Sequence, residues 1–251
     1  MSFAPALLEV RHLARSFGGV DAVRDVSFTV APGEVVALIG PNGAGKTTCF
    51  NLVNGQLAPD RGEVLLAGEA ITGRSPREIA TRGVGRTFQV AATFASMTVR
   101  ENIELALLAH AQEHRNQFMA MGGVHRATVD ALLDRVRMSA FADQGCATLA
   151  YGDAKRVELA LALAGAPRLL LMDEPTAGMS PRSRDHVMRV AAELAREEEI
   201  AVLFTEHDMD VVFGYADRIV VLDRGEIIAS GAPEAIRADE RVQAVYLGEK
   251  G

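Results

Sequence analysis

Hydrophobic positions change their period several times along the chain, and each change marks an element. Leu8-Glu9-Val10-Arg11-His12-Leu13 roughly alternates apolar and polar, and Val26-Ser27-Phe28-Thr29-Val30 alternates fully, so both predict strands. Pro32-Gly33-Glu34 turns into Val35-Val36-Ala37-Leu38-Ile39, a β-rich apolar run expected to be a buried strand. Cys49 to Val53 predicts a helix, and Gly62-Glu63-Val64-Leu65-Leu66-Ala67-Gly68 a strand bounded by glycines. From about Val99 to Ala164 the pattern turns helical. Val129, Leu132, Leu133 and Val136 stand at i, i+3, i+4 and i+7, one buried helix face. The polar stretch Gln112 to Arg126, with two glycines, predicts a surface connection. Strands return at Leu169–Met172, Ala201–Phe204 and Ile219–Leu222, with a helix stripe at Val187, Val190, Ala191 and Leu194. Asp223-Arg224-Gly225 turns the last strand into Glu226–Ala229 as a hairpin. Strands alternating with helices imply parallel pairing, and a helical block within them implies an inserted subdomain. The charge run Arg196-Glu197-Glu198-Glu199 is expected to be a solvated helix end with no functional role.

Composition narrows the class. The 251 residues suffice for one α/β domain with an insertion. Lys+Arg 26 against Asp+Glu 33 gives a net charge of −7, which argues against a nucleic-acid coat. No apolar run approaches the ~18 residues of a membrane span. The richest stretch, Leu159 to Met172, is broken by Gly165, Pro167 and Arg168. The N-terminus lacks the charged-then-apolar pattern of a signal peptide. Cys49 and Cys146 have no metal-ligand spacing and are expected as small core residues in a reducing cytosol.

The chemistry begins at Gly40-Pro41-Asn42-Gly43-Ala44-Gly45-Lys46-Thr47-Thr48, which fits G-x-x-x-x-G-K-[ST] between a predicted strand and a predicted helix. In that context backbone N–H groups and the helix dipole face phosphate oxygens. Lys46 would reach the β- and γ-phosphates, and Thr47 would place its hydroxyl on Mg²⁺. Farther on, Leu169–Met172 delivers Asp173 and Glu174 at a strand end, where open α/β sheets bind ligands. Asp173 suits Mg²⁺, and Glu174 suits orienting or deprotonating an attacking water. His207, in Phe204-Thr205-Glu206-His207-Asp208, leaves the next apolar strand and is placed to meet the γ-phosphate and the carboxylate. Leu149-Ala150-Tyr151-Gly152-Asp153 opens a helix and is a second phosphate-site candidate.

Taken together, these residues resemble the ATP-binding subunit of ABC transporters over nearly the whole chain. The resemblance implies an α/β fold: a P-loop NTPase (RecA-like) core, an N-terminal antiparallel β subdomain and an inserted α-helical ABC subdomain. It implies one ABC ATP-binding domain over 1–251, with the core at 1–88 and 166–235, the helical subdomain at 89–165 and a tail at 236–251. Gly40 to Thr48 match Walker A, so Asn42, Gly43, Ala44, Gly45, Lys46, Thr47 and Thr48 would hold ATP. Leu169 to Asp173 match Walker B, Glu174 the catalytic glutamate, and His207 the switch histidine. Gln89, in Arg86-Thr87-Phe88-Gln89, matches the Q-loop glutamine; it joins Glu174 and His207 as a catalytic residue and Thr47 and Asp173 as a metal ligand. Phe17 stands where the family stacks an aromatic on adenine; the alternative is a core phenylalanine at a strand end.

The similarity is greatest to the branch that powers branched-chain amino acid uptake, through Phe17-Gly18-Gly19-Val20, Arg86 to Gln89, Leu149 to Asp153, Glu206-His207-Asp208-Met209 and Val242 to Glu249. Three departures stand out. The usual signature Leu-Ser-Gly-Gly-Gln carries Ala150, Tyr151 and Asp153 here, which removes a hydroxyl and adds a carboxylate. Asp153 either brings negative charge near a phosphate or caps the helix. The usual D-loop aspartate is Ser180, and Ala154-Lys155-Arg156 follows the signature where Gln or Arg is commoner.

The resemblance also implies partners: a second ABC ATPase, two membrane permeases and an external solute-binding protein, with no nucleic acid. Two ATP molecules would lie between Walker A of one subunit and Ala150 to Asp153 of the other. The location implied is the cytoplasmic face of the inner membrane, as a peripheral subunit. Val90 to Met97 is the expected docking groove, with Phe94 and Met97 either receiving a permease helix or packing inside the helical subdomain. The alternatives are a lipid or lipopolysaccharide exporter ATPase and a soluble non-transport ABC ATPase. Long coiled-coil insertions and a second ATPase domain, which mark the soluble types, are missing from the sequence.

Overall fold

In the computed structural model the described residues are 6–87, 93–113 and 126–247. Gln89 and most of both the docking segment's start and the polar connection lie outside them.

The first strands are β1 (Leu8–Phe17), β2 (Val20–Val30), β3 (Val35–Ile39), β4 (Arg61–Leu66) and β5 (Glu69–Ala70). All but β3 join an antiparallel sheet in the order β2-β1-β4-β5. β1 and β2 run longer than their alternating patterns. Register shifts between Val10 and Leu13 and between Leu13 and Arg15 break the period of two. Gly18 and Gly19, both at positive φ, close the hairpin.

The continuous apolar runs build the second sheet. β6 (Val84–Thr87), β7 (Leu169–Asp173), β8 (Ala201–Thr205), β9 (Arg218–Asp223) and β10 (Glu226–Gly231) join β3 in the order β10-β9-β3-β8-β7-β6. Every neighbouring pair from β9 to β6 is parallel, and β10 alone returns antiparallel through Arg224-Gly225. Alternate residues feed two cores. Val35, Ala37, Ile39, Leu170, Met172, Val202 and Phe204 face one. Val36, Leu38, Leu169, Leu171 and Leu203 face the other, which holds the antiparallel sheet and helix α1 (Lys46–Val53). A parallel sheet covered on both faces has no solvent side, so its strands read as unbroken apolar runs.

The remaining helices are α2 (Pro76–Ala80), α3 (Val99–Glu113), α4 (Arg126–Arg135), α5 (Tyr151–Leu163), α6 (Pro181–Glu198), α7 (Met209–Tyr215), α8 (Pro233–Ala238) and α9 (Glu240–Leu247). The α4 stripe of Val129, Leu132 and Leu133, with Val136 just past the helix end, is buried in the helix-side core, as the spacing requires. The 196–199 charge run is exposed at the end of α6, as expected. Glu198 Oε1 accepts from Arg135 Nε at 2.8 Å and so ties α6 to α4. Both cysteines are buried, and Cys146 Sγ accepts from Asn102 Nδ2 at 3.3 Å.

Candidate nucleotide site

Parallel pairing puts the C-terminal ends of β3, β8, β7 and β6 at one sheet edge, and the predicted loop leaves from the first of them. Two glycines have no substitute there. A Cβ on Gly40, at φ +155°, would lie 2.1 Å from the Leu222 carbonyl oxygen. On Gly45, at φ +103°, it would lie 2.3 Å from that of Ala22. Gly43 has open space on its Cβ side, so its backbone is approachable. Gly45 is the N-cap of α1 and offers no side-chain cap, which leaves the first N–H groups of the helix for an outside acceptor. Lys46 is 7% exposed and lies across the loop, its Nζ donating to the carbonyls of Gly40 at 2.7 Å and Pro41 at 3.0 Å. Asn42 and Thr47 are exposed, Thr48 is half-buried and Ala44 is buried.

Asp173 and Glu174 share a backbone but not an environment. Asp173 is buried, and its Oδ1 accepts from Thr205 Oγ1 at 2.7 Å. Arg86 Nη2 stands 3.6 Å from the other oxygen, while Arg86 Nη1 donates to Asn51 of α1 at 3.3 Å. Burial pulls the Arg86 guanidinium below its ordinary pKa, and the charge of Asp173 works in the opposite direction. Glu174 sits at φ +47°, in the left-handed region. Its N–H donates to Thr205 O at 3.2 Å and Thr205 Oγ1 at 3.0 Å, two acceptors that hold this strained turn. The turn aims Glu174 away from Asp173, and Glu174 Oε1 lies 2.9 Å from His207 Nε2. β8 lies between β3 and β7, so Thr205 ends, and His207 follows, the strand that separates the phosphate loop from the carboxylates.

Thr205 and Glu206 were visible in the sequence only as neighbours of His207. Glu206 is 4% exposed, and its Oε1 accepts from both the N–H and the hydroxyl of Thr176, at 2.8 and 2.6 Å. Its Oε2 accepts from the His207 N–H at 3.1 Å. An apolar strand followed by three polar residues signals a site, but the pairings cross the fold.

The donor set fits a magnesium nucleotide. Among the described residues no group of three His, Cys, Asp or Glu could hold a metal. Mg²⁺ binds through one or two protein oxygens and completes its shell with phosphate and water, which the exposed Thr47 hydroxyl and Asp173 suit. Phe17 ends β1 with 43% exposure and the Arg15 guanidinium 5.0 Å from its ring centroid, so it is not a core phenylalanine.

Ala150 is the N-cap of α5, without a side-chain bond, and Tyr151 is half exposed. The helix begins at Tyr151, so Asp153 lies in its first turn and is not its cap; its carboxylate pairs with Arg156. The added charge is thereby compensated within the helix. A Cβ on Gly152 would come 2.9 Å from that of Ser183, so glycine permits close packing of α5 on α6. Ser180 caps α6, accepting from the Ser183 N–H at 3.3 Å. Lys155 is buried and donates to Glu158 at 2.9 Å, a bond that makes it part of the helical core; burial pushes the Glu158 carboxyl up. Phe94 is 56% exposed and is not a core residue. Buried Asn102 fixes its backbone, accepting from the Phe94 N–H at 2.7 Å and donating to its carbonyl at 3.2 Å. Met97 is half-buried.

A glycine loop feeding a helix, with an acidic strand end two strands away and an antiparallel sheet alongside, defines a P-loop nucleotide-binding cassette. The ABC transporter family profile matches residues 23–177, and that of the branched-chain amino acid ATP-binding cassette transporter family matches residues 226–251. The chain belongs to the ABC transporter family of ATP-binding subunits, whose members are ATPases. The high-affinity branched-chain amino acid transport ATP-binding protein BraF of Pseudomonas aeruginosa is 40% identical, covering 97% of this chain and 98% of its own. The lipopolysaccharide export system ATP-binding protein LptB of Haemophilus influenzae is 36% identical, covering 98% of each. The crystal structure of the ADP conformation of MJ1267, an ATP-binding cassette of an ABC transporter, superposes with a TM-score of 0.86 at 30% identity, covering 98% of this chain and all of that one.

Proposed function

We propose that this chain is the ATP-hydrolysing subunit of an importer for branched-chain or related amino acids. The observation that carries the catalytic reading is the 2.9 Å contact between Glu174 and His207 at the edge from which the phosphate loop leaves. Gly40 to Thr48 cradle the phosphates of ATP, with Lys46 leaving its carbonyl partners for the β- and γ-phosphates. Thr47, Asp173 and Gln89 hold Mg²⁺, which when bound offsets charge on the phosphate oxygens. Glu174 takes the proton of the attacking water, and His207 orients that carboxylate and faces the γ-phosphate. Phe17, exposed at the end of β1, stacks on adenine.

The reading divides the chain into an ATP-binding core at 1–88 and 166–235 and a helical part at 89–165. Ala150, Tyr151, Gly152 and Asp153 form the face lent to the ATP of a second ABC ATPase, identical or related; the exposure of Ala150 and Tyr151 supports this. Phe94 and Met97 meet a permease from the cytoplasmic side of the membrane, and the exposed ring on a backbone pinned by Asn102 suits such a contact. Among the described residues no helix is long and apolar enough to cross a membrane. The match at 226–251 favours amino acid import over the lipopolysaccharide export of LptB.

The test is leucine uptake into proteoliposomes holding this chain with its permeases. Wild type is expected to import leucine with ATP. Glu174→Gln should bind ATP normally and turn over about 10²–10⁴-fold more slowly. Normal turnover in that variant refutes the role of Glu174, and ATPase activity stimulated by lipopolysaccharide in place of amino acid refutes the import reading.

A further inference from the structure

Resting on that reading of Glu174 and His207, we propose that buried Glu206 is a positioning residue for hydrolysis, locking the Thr176–Ser180 segment and His207 into one unit. The connections close a ring. Glu174 leads through Pro175 to Thr176, Thr176 donates twice to Glu206, Glu206 is followed by His207, and His207 returns to Glu174 at 2.9 Å. Thr176 and Glu206 are 2% and 4% exposed, so the ring's far side is fixed in the interior, while the imidazole and Glu174 stand at the surface.

A carboxylate is required at this position. Three donors converge on it: the Thr176 N–H, the Thr176 hydroxyl and the His207 N–H. An ionised carboxylate is an acceptor on both oxygens, whereas a glutamine amide must turn NH₂ toward one of these donors. The mismatch frees either Thr176 or the His207 backbone. The segment that follows Thr176 carries Gly178 at positive φ and reaches Ser180, whose cap partner Ser183 lies against Gly152. Glu206 thus connects the face that includes Gly152 to the imidazole. Movement of Thr176–Ser180 when a partner subunit closes would displace His207 relative to Glu174.

The test uses the assembled transporter and reads two quantities: the single-turnover rate of ATP hydrolysis and the Kd for ATP. Glu206→Gln is expected to slow the rate about 10- to 100-fold, the size of effect that an ångström of misplacement produces. The Kd should stay within about twofold, because none of the loop's hydrogen bonds involves Glu206. Thr176→Val removes one donor and should slow the rate several-fold, again with unchanged Kd. In a His207→Ala background both penalties should shrink to less than about twofold, because the residues act through the imidazole. Should Glu206→Gln fail to fold, Thr176→Val carries the same cycle. Full multiplicative loss in the His207→Ala background, or a Kd that rises with the fall in rate, overturns the inference. A slow His207→Ala beside a wild-type rate for both Glu206→Gln and Thr176→Val overturns this inference alone. A wild-type rate for His207→Ala overturns the reading of His207 as well.

Discussion

Replacing Thr205 by valine isolates one hydroxyl at the centre of the site. Thr205 is 1% exposed on β8, and valine keeps its branching and nearly its volume, so no cavity forms. The hydroxyl donates to Asp173 Oδ1 at 2.7 Å and accepts from the Glu174 N–H at 3.0 Å. The first bond serves a buried carboxylate, and losing it costs roughly 1.5–3 kcal/mol. The second loss is smaller, about 0.5–1 kcal/mol, because the Glu174 N–H keeps the Thr205 carbonyl at 3.2 Å. Together they predict destabilisation of about 2–4 kcal/mol, or a fall in Tm of about 4–16 °C. Thr205→Ser, which keeps the hydroxyl and loses a methyl, should cost only about 1 kcal/mol. Denaturant titration of the three proteins, with single-turnover hydrolysis alongside, measures this. Thr205→Val should also hydrolyse ATP more slowly than Thr205→Ser, because Glu174 loses part of what holds its left-handed turn. A valine variant within about 0.5 kcal/mol of wild type, or a serine variant worse than the valine one, refutes the reasoning.

Other perturbations test separate links. Lys46→Ala should weaken ATP binding measured by calorimetry, and an unchanged affinity would remove Lys46 from the phosphate cradle. Gly45→Ala places a Cβ 2.3 Å from the Ala22 carbonyl oxygen at φ +103°; it should cost roughly 1–3 kcal/mol in backbone strain alone and lower ATP affinity at least about tenfold, and wild-type affinity would refute the loop geometry. Burial pushes the Cys49 thiol up to about 12 from 9.0, so the folded chain keeps this proton at pH values where the unfolded chain loses it. That contribution is complete below about pH 9 and falls between about pH 9 and 12, by at most about 1.4 kcal/mol per pH unit. Cys49→Ala should therefore lose less stability than wild type between pH 8 and 10.5 in denaturant titrations, and equal losses would refute the assignment.

The sequence by itself determined the elements whose signal is local. The unbroken apolar runs at Val35–Ile39, Leu169–Met172 and Ala201–Phe204 required strands covered on both faces, and the glycine loop carried its chemistry in its spacing. The helix stripe at Val129 to Val136 fixed its own buried face. Where local order failed, so did legibility. Bulges in β1 broke its alternation, and the helix start at Tyr151 removed Asp153 from the cap position. Exposure of Phe17 and Phe94 also had no local signal, since an aromatic at a strand end or in a loop reads the same inside or out. Only the tertiary structure decided that β8 lies between β3 and β7, placing Thr205 against Asp173 and Glu206 against Thr176. Those bonds join residues about 30 positions apart, and strand order, which sequence periodicity does not encode, determines which carboxylate each donor meets.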